Sequence, residues 1–438
     1  MANLTRSNSS DSDTSLHTIA EADRMGRGPL TMAWWAVCSA VFYIVVGATL
    51  AQTYGARNAI IGMVLSVISY GLVNGVISRY AIRTGQSVAL FSRQVFGTSG
   101  AALATLIFFA TAIYYAVFEG SVMAVMAHHA FPSVPYAAWA LVVVIYSVLL
   151  IFGSVQRWLD KLNGVLLPFY LLGLVLAVVL ATREYGYSNA WLSLGPAQGA
   201  KPGGWWDVFV YYMGVWILMM FTFDYARFGR PADAAYHSRY NFGIPFYLVT
   251  FLLNGLAGIY LVSIIPGDGP LSEVSVVLAL FKLMGLGGLL FVWITQTRIN
   301  TANYYLATIN MQAFFARVAH WPKTVWAVLV GVVAYGLMLF DVFSYLLQAL
   351  AYQGIFVVAW VAVALVHMLS GPDAVPASAH AYNRVGLGAW LAGAVSGLVL
   401  MHVTGWAATL AAPASFVVAA LAYALLSWLS RGSAARMP

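Results

Sequence analysis

The sequence predicts an all-helical protein that crosses a membrane many times, and three observations carry that prediction. Of the 438 residues, 62% are hydrophobic and only 8% charged, roughly a third of the charge of a soluble protein of this size. Apolar runs long enough to span a bilayer recur about twelve times along the chain. Lys and Arg gather in alternate connections: with the N-terminal tail inside, sixteen of the 21 fall in cytoplasmic segments, and only Arg57, Arg183 and Lys201 fall in outer ones. That asymmetry follows the positive-inside rule and puts both termini in the cytoplasm, with the chain integral to a plasma membrane, the inner membrane in a bacterium.

Composition also excludes function classes. The net charge of +7 is spread over the connections between apolar runs, so it predicts no nucleic-acid surface. The single Cys38 rules out an internal disulfide framework, and no Cys/His spacing suits a metal or other bound cofactor. Motifs for a zinc protease, a nucleophile elbow or a pore-loop selectivity ring are absent, which argues against an enzyme and against a channel.

Taken in order, Met1–Gly28 is Ser/Asp-rich without an apolar core and reads as a disordered cytoplasmic tail, not as a signal peptide. Spans follow near 30–53, 57–80, 99–127, 135–154, 162–182, 205–226, 242–265, 285–312, 322–341, 344–368, 385–405 and 408–430. The first contains small residues, Ala36, Cys38, Ser39 and Ala40, that let a backbone approach either a neighbouring helix or a ligand. GxxxG pairs at Gly71/Gly75 and Gly393/Gly397 read as packing faces. His128 and His129 read as solvated residues at an outer helix end.

Three spans carry polar groups that lipid does not tolerate. The eighth holds Thr295, Gln296, Thr297, Arg298, Asn300, Thr301 and Asn303 in its middle, and an arginine at such a depth costs roughly 3 kcal/mol even on a lenient scale. These side chains must face protein or water. The third holds Tyr115 and Glu119, four residues apart and therefore on one face. Glu119 either bonds structurally, pairs with Arg298, or carries a proton as part of a transport mechanism. The sixth has Gly214 between aromatics, including Trp216, where a helix can break, and ends in Asp224, Arg227 and Arg230. That cluster is either a cytoplasmic gate or an interfacial anchor.

Three short patterns in this order resemble the nucleobase cation symporter-1 family, which includes cytosine, hydantoin and purine-cytosine permeases. They are Thr84, Gly85, Arg93, Phe96 and Gly97 after the second span; Asp224 to Arg230 (DYARFGR) after the sixth; and Asn300, Asn303, Tyr305 and Gln312 in the eighth. The resemblance implies two inverted five-helix repeats of leucine-transporter type (29–182 and 205–368) plus two peripheral helices (385–430), with the first helix of each repeat broken. It implies a mid-membrane site in which Tyr115 stacks on a small heterocycle and Glu119 reads the ring edge. The helix-six aromatic falls at Val215 or Trp216, and the reading amide on Asn303 or Asn300. The family's sodium-coupled members set hydroxyl residues of span eight against carbonyls of the broken first helix. Here that places Thr297 and Arg298 opposite Ala36 and Ser39, and the guanidinium takes the place of the ion. The expectation is thus a sodium-independent secondary transporter for a nucleobase or related heterocycle, functional as a monomer, with a proton as the coupling ion. An amino acid or amine permease of the same superfamily is the alternative.

Overall fold

The computed structural model describes residues 18–152, 154–267, 272, 274–315, 319–371, 381–403 and 405–434. Among them the regular structure is helical. In chain order the long helices are α1, in two pieces α1a (Arg27–Trp35) and α1b (Val41–Tyr54); α2 (Ala56–Thr84); α3 (Ala102–Ala130); α4 (Tyr136–Leu150); and α5 (Ser154–Tyr185). After them come α6, in pieces α6a (Gly204–Met213) and α6b (Ile217–Ala226), and the bent segment α7 (Pro231–Ile264). The last are α8 (Leu286–Phe315), α9 (Lys323–Met338), α10 (Leu346–Leu369), α11 (Arg384–Met401) and α12 (Ala411–Ala434).

Seven of these are long and apolar enough to cross a membrane, and nine are if each bent pair counts as one span. The chain is an integral membrane protein. α4 and α9 are shorter, and α8 owes its lower hydropathy to the polar run at its centre. Large apolar side chains such as Leu72, Leu172, Leu421 and Trp428 are exposed on the bundle's flanks, where lipid contacts them.

The two bends fall in α1 and α6, the helices that open the two predicted repeats, and each is 43°. In α1 the turn Ala36–Ser39 tightens to a 3-10 helix and Ala40 is extended, with φ −65° and ψ 125°. In α6 the bonds through the bend run from residue i+3 to i: Gly214 N–H to the Tyr211 carbonyl at 2.9 Å, Val215 to Tyr212 at 3.0 Å and Trp216 to Met213 at 3.1 Å. Gly214 is needed for close approach, since a Cβ there would stand 2.2 Å from the Leu350 carbonyl oxygen of α10.

The family-like patterns mark helix ends. Gly85 (φ 65°) closes α2 in the left-handed conformation, and Gly97 (φ 88°) follows the short helix Val88–Phe96. Ser87 caps that helix by accepting from Leu90 N–H at 3.0 Å. Its first amide, Val88 N–H, donates to Asp224 at 2.8 Å, so the acidic residue of DYARFGR sits where a helix N-terminus favours negative charge.

One expectation is corrected. Residues 1–17 of the tail lie outside the described residues, but disorder up to Gly28 does not hold for the remainder. Ile19 N–H donates to the Gly85 carbonyl at 3.0 Å and Met25 N–H to Phe228 at 2.6 Å. The Arg24 guanidinium donates to the carbonyls of Ile82 and Gly229, both at 2.6 Å. α1a then begins at Arg27, which pairs with Asp233 at 2.6 Å. Composition suggested disorder because few of these residues are apolar; what orders them is main-chain pairing and two arginines.

The two glycines of the α2 pair are not equivalent. A Cβ at Gly71 would meet Ile244 of α7 at 2.3 Å (side chain) and 2.8 Å (backbone nitrogen), whereas at Gly75 the nearest atom is 3.7 Å away. Gly71→Ala should therefore lower the melting temperature of the detergent-solubilised protein, and Gly75→Ala should leave it unchanged. Equal melting of both variants would show that α2 does not pack on α7 through this face.

Candidate functional site

A helix bent inside lipid leaves backbone donors and acceptors without intrahelical partners, and each must be answered from within the protein. At the α1 break the answers come from two other helices, one of them braced by a third. Gln296 of α8 accepts from Val41 N–H at 3.1 Å, and Asn254 of α7 donates to the Cys38 carbonyl at 2.8 Å. Asn254 is itself fixed by Tyr170 of α5, whose hydroxyl donates to it at 2.9 Å. The Arg298 guanidinium donates to the Ala33 carbonyl at 3.4 Å, and Ser39 turns its hydroxyl back onto Ala36 at 2.8 Å. The polar density of α8 is thus in part the counterpart of the break.

Beside this break lies a cleft. Its walls come from the α1 break (Val37, Ala40, Phe42, Tyr43), α3 (Tyr115, Glu119), α6b (Leu218, Phe221, Tyr225) and α8 (Arg298, Ile299, Asn303, Leu306). The wall is mostly apolar and aromatic. Tyr225 and Leu306 extend the cleft toward the end of α6b that carries Arg227 and Arg230. Behind the lining residue Phe42 the packing is aromatic: Phe42 packs edge-on against Phe118 at 5.3 Å and Phe118 against Phe343 at 5.2 Å.

Four predicted site residues meet in this cleft: Tyr115, Glu119, Arg298 and Asn303. Glu119 is 1% exposed. Its carboxyl faces the Phe42 N–H, and Oε2 has no hydrogen-bond partner among the described residues. Asn303 likewise has Nδ2 without a partner. Two polar atoms buried at a cleft wall cost about 1–3 kcal/mol each unless water or a solute satisfies them. Arg298, 9% exposed, lines the same space with its guanidinium on the α1 side.

The other predicted residues lie elsewhere. Trp216 points away from the cleft, packing edge-on against Phe416 of α12 at 5.5 Å and against Tyr70 of α2 at 6.0 Å. Gly214 meets α10. Asn300 donates to Ser147 of α4 at 3.1 Å, and Thr297 contacts the Tyr146 hydroxyl at 3.2 Å. Ala36 and Ser39 are buried in the break outside the cleft lining. At the α6b end, Asp224 holds the short helix, Arg227 lies over the Phe228 ring at 4.9 Å, and Arg230 is exposed. Sequence reasoning missed Phe42, Tyr43, Phe221 and Tyr225. Phe221 stacks on Phe108 of α3 at 5.4 Å and presents an aromatic surface where Trp216 was expected; its only signal was its position one turn further along α6.

Two bent helices flank the cleft, an arrangement whose fold is shared with solved membrane transporters. Among solved structures, the inward-facing form of Mhp1 is similar over 98% of this chain and 95% of its own, with TM-score 0.75 and 15% identity. Mhp1, a nucleobase-cation-symport-1 family transporter, in a closed form with bromovinylhydantoin bound, gives TM-score 0.70 at 15% identity over 95% of this chain and 96% of its own. A Na+-coupled sialic acid symporter in an outward-open state gives 0.60 at 11% identity over 92% and 90%. At such identities the similarity establishes the fold. No protein-family model matches the sequence, and no curated protein does.

If the α1 break depends on Asn254, then Asn254→Leu, which strips both the Cys38 carbonyl and the Tyr170 hydroxyl of their partner, should destabilise the protein by about 2–4 kcal/mol, and Tyr170→Phe by about 1 kcal/mol. Thermal melting of the two variants checks the order; equal, small losses would mean that the break is held by other groups.

Proposed function

We propose that this chain is a secondary active transporter that takes up a nucleobase or related nitrogen heterocycle by alternating access. The observation that carries the reading is the cleft: aromatic walls, lined also by Glu119 and Asn303, each of which has a buried polar atom without a partner among the described residues. A planar ring with adjacent N–H and C=O groups satisfies both atoms while its faces rest on Tyr115 and Phe221. The transporter fold and the hydantoin-type ligand of Mhp1 support the choice of solute class. The two-repeat organisation, the bacterial inner membrane with both termini inside and action as a monomer belong to the same proposal, as do gating roles for Asp224, Arg227 and Arg230. The experiment is thermal stabilisation of purified protein by cytosine, uracil, hypoxanthine and hydantoin, with amino acids and amines as the opposing panel. A fitting solute at a hundredfold excess over Kd adds about 2.7 kcal/mol. The amine panel matters because the buried Glu119 carboxyl also suits a cation; stabilisation by amines alone would move the assignment to an amino acid or amine permease.

The α1 break does not suit sodium. Its Ala33 and Cys38 carbonyls already accept from Arg298 and Asn254, and a fixed guanidinium charge stands where coupled relatives set hydroxyls. In this reading Arg298, bound to the Ala33 carbonyl, replaces the cation. Uptake should be the same in sodium and in choline; a sodium requirement would contradict this reading.

Glu119 is then the group that takes up and releases a proton, since Arg298 cannot. Glu119→Gln should abolish accumulation driven by a pH gradient while exchange of labelled substrate continues. Accumulation that persists would assign coupling to another residue.

A further inference from the structure

The Tyr115 hydroxyl accepts a hydrogen bond from Gln353 Nε2 of α10 at 3.3 Å. This contact joins the cleft wall to a helix that does not line the cleft. Gln353 stands one residue before Gly354. A Cβ at Gly354 would stand 3.3 Å from the Gly214 nitrogen, and one at Gly214 would stand 2.2 Å from the Leu350 carbonyl oxygen. α10 therefore rests backbone to backbone on the α6 bend, and through Gln353 it also holds the ring proposed to stack on the solute. Phe42 braces the other side of that ring at 5.0 Å, edge to face.

We infer that Gln353 is a positioning residue: through the Tyr115 hydroxyl it fixes the ring that faces the solute and latches α10 to α3 beside the cleft. The inference rests on the reading of this cleft as the solute site, but its latch half does not need a solute. A lost hydrogen bond of this kind weakens a two-state contact by roughly three- to tenfold. A bond that acts as a unit gives the same loss whichever partner is removed, and no further loss when both are.

The test uses Gln353→Leu, Tyr115→Phe and the double variant in the full-length protein. The latch is read without ligand from the rate at which a maleimide modifies a reporter, Leu346→Cys, which is fully buried at the start of α10. The parent protein corrects for the buried Cys38. The expected result is a rate about three- to tenfold faster in each single variant and no faster again in the double. Unchanged rates, or a double variant whose increase is the product of the two, would overturn the latch. The affinity for cytosine, uracil, hypoxanthine and hydantoin should fall by the same factor and with the same non-additivity; an unaltered affinity in both single variants would overturn the positioning role. If none of the four binds the parent protein, the solute assignment fails while the reporter still decides the latch. Should Gln353→Leu not fold, Tyr115→Phe, which removes one oxygen, gives the same comparison.

Discussion

Hydrogen bonding at the interrupted first helix is the constraint on which this structure turns. Lipid offers no partner to a freed amide or carbonyl, so the interruption exists only because Gln296, Arg298 and Asn254 reach it from α8 and α7. Once those side chains are committed, α8 must run beside α1 with its polar stretch inward. α5 must be close enough for Tyr170 to hold Asn254, and the gap left by the bend becomes a cleft. The α6 interruption is of a different kind, a short tightening of the helix with i+3 bonds, and requires only that α10 come close enough to touch its backbone.

This difference governs what could be read in the sequence. The spans were legible because an apolar run of membrane length is rarely stable anywhere but in lipid. Glu119, Arg298 and Asn303 were legible because a polar side chain inside such a run must turn toward protein or water. Their convergence with Tyr115 follows from the same logic. The aromatic partner from α6 was not legible. A 3-10 turn advances about 120° per residue against 100° in an α-helix, so a few residues at the bend rotate the faces of α6b. Trp216 then meets α12, and Phe221 meets the cleft. Nothing in an apolar stretch rich in aromatics records that rotation. Asn300 and Asn303 posed the same problem three residues apart: one amide belongs to α4 and one to the cleft. The tail failed for another reason, since composition reports burial of apolar surface and not hydrogen bonding between main chains.

The family-like patterns carry a double meaning. Gly85, Gly97 and Asp224 are all accounted for by helix termination and capping, so their recurrence in a sequence reports architecture first. The polar residues that line the cleft from α3 and α8, Tyr115, Glu119 and Asn303 among them, are scattered singly along those two helices.

The segment just before α1 also bears on how the protein is made. Arg24 is bound to the carbonyl of Gly229, 205 residues further on, so this early piece cannot complete its docking until the sixth helix has left the ribosome. At ordinary synthesis rates that interval is on the order of ten to forty seconds. During it the segment has only its nearer partners, the carbonyls of Ile82 and Gly85.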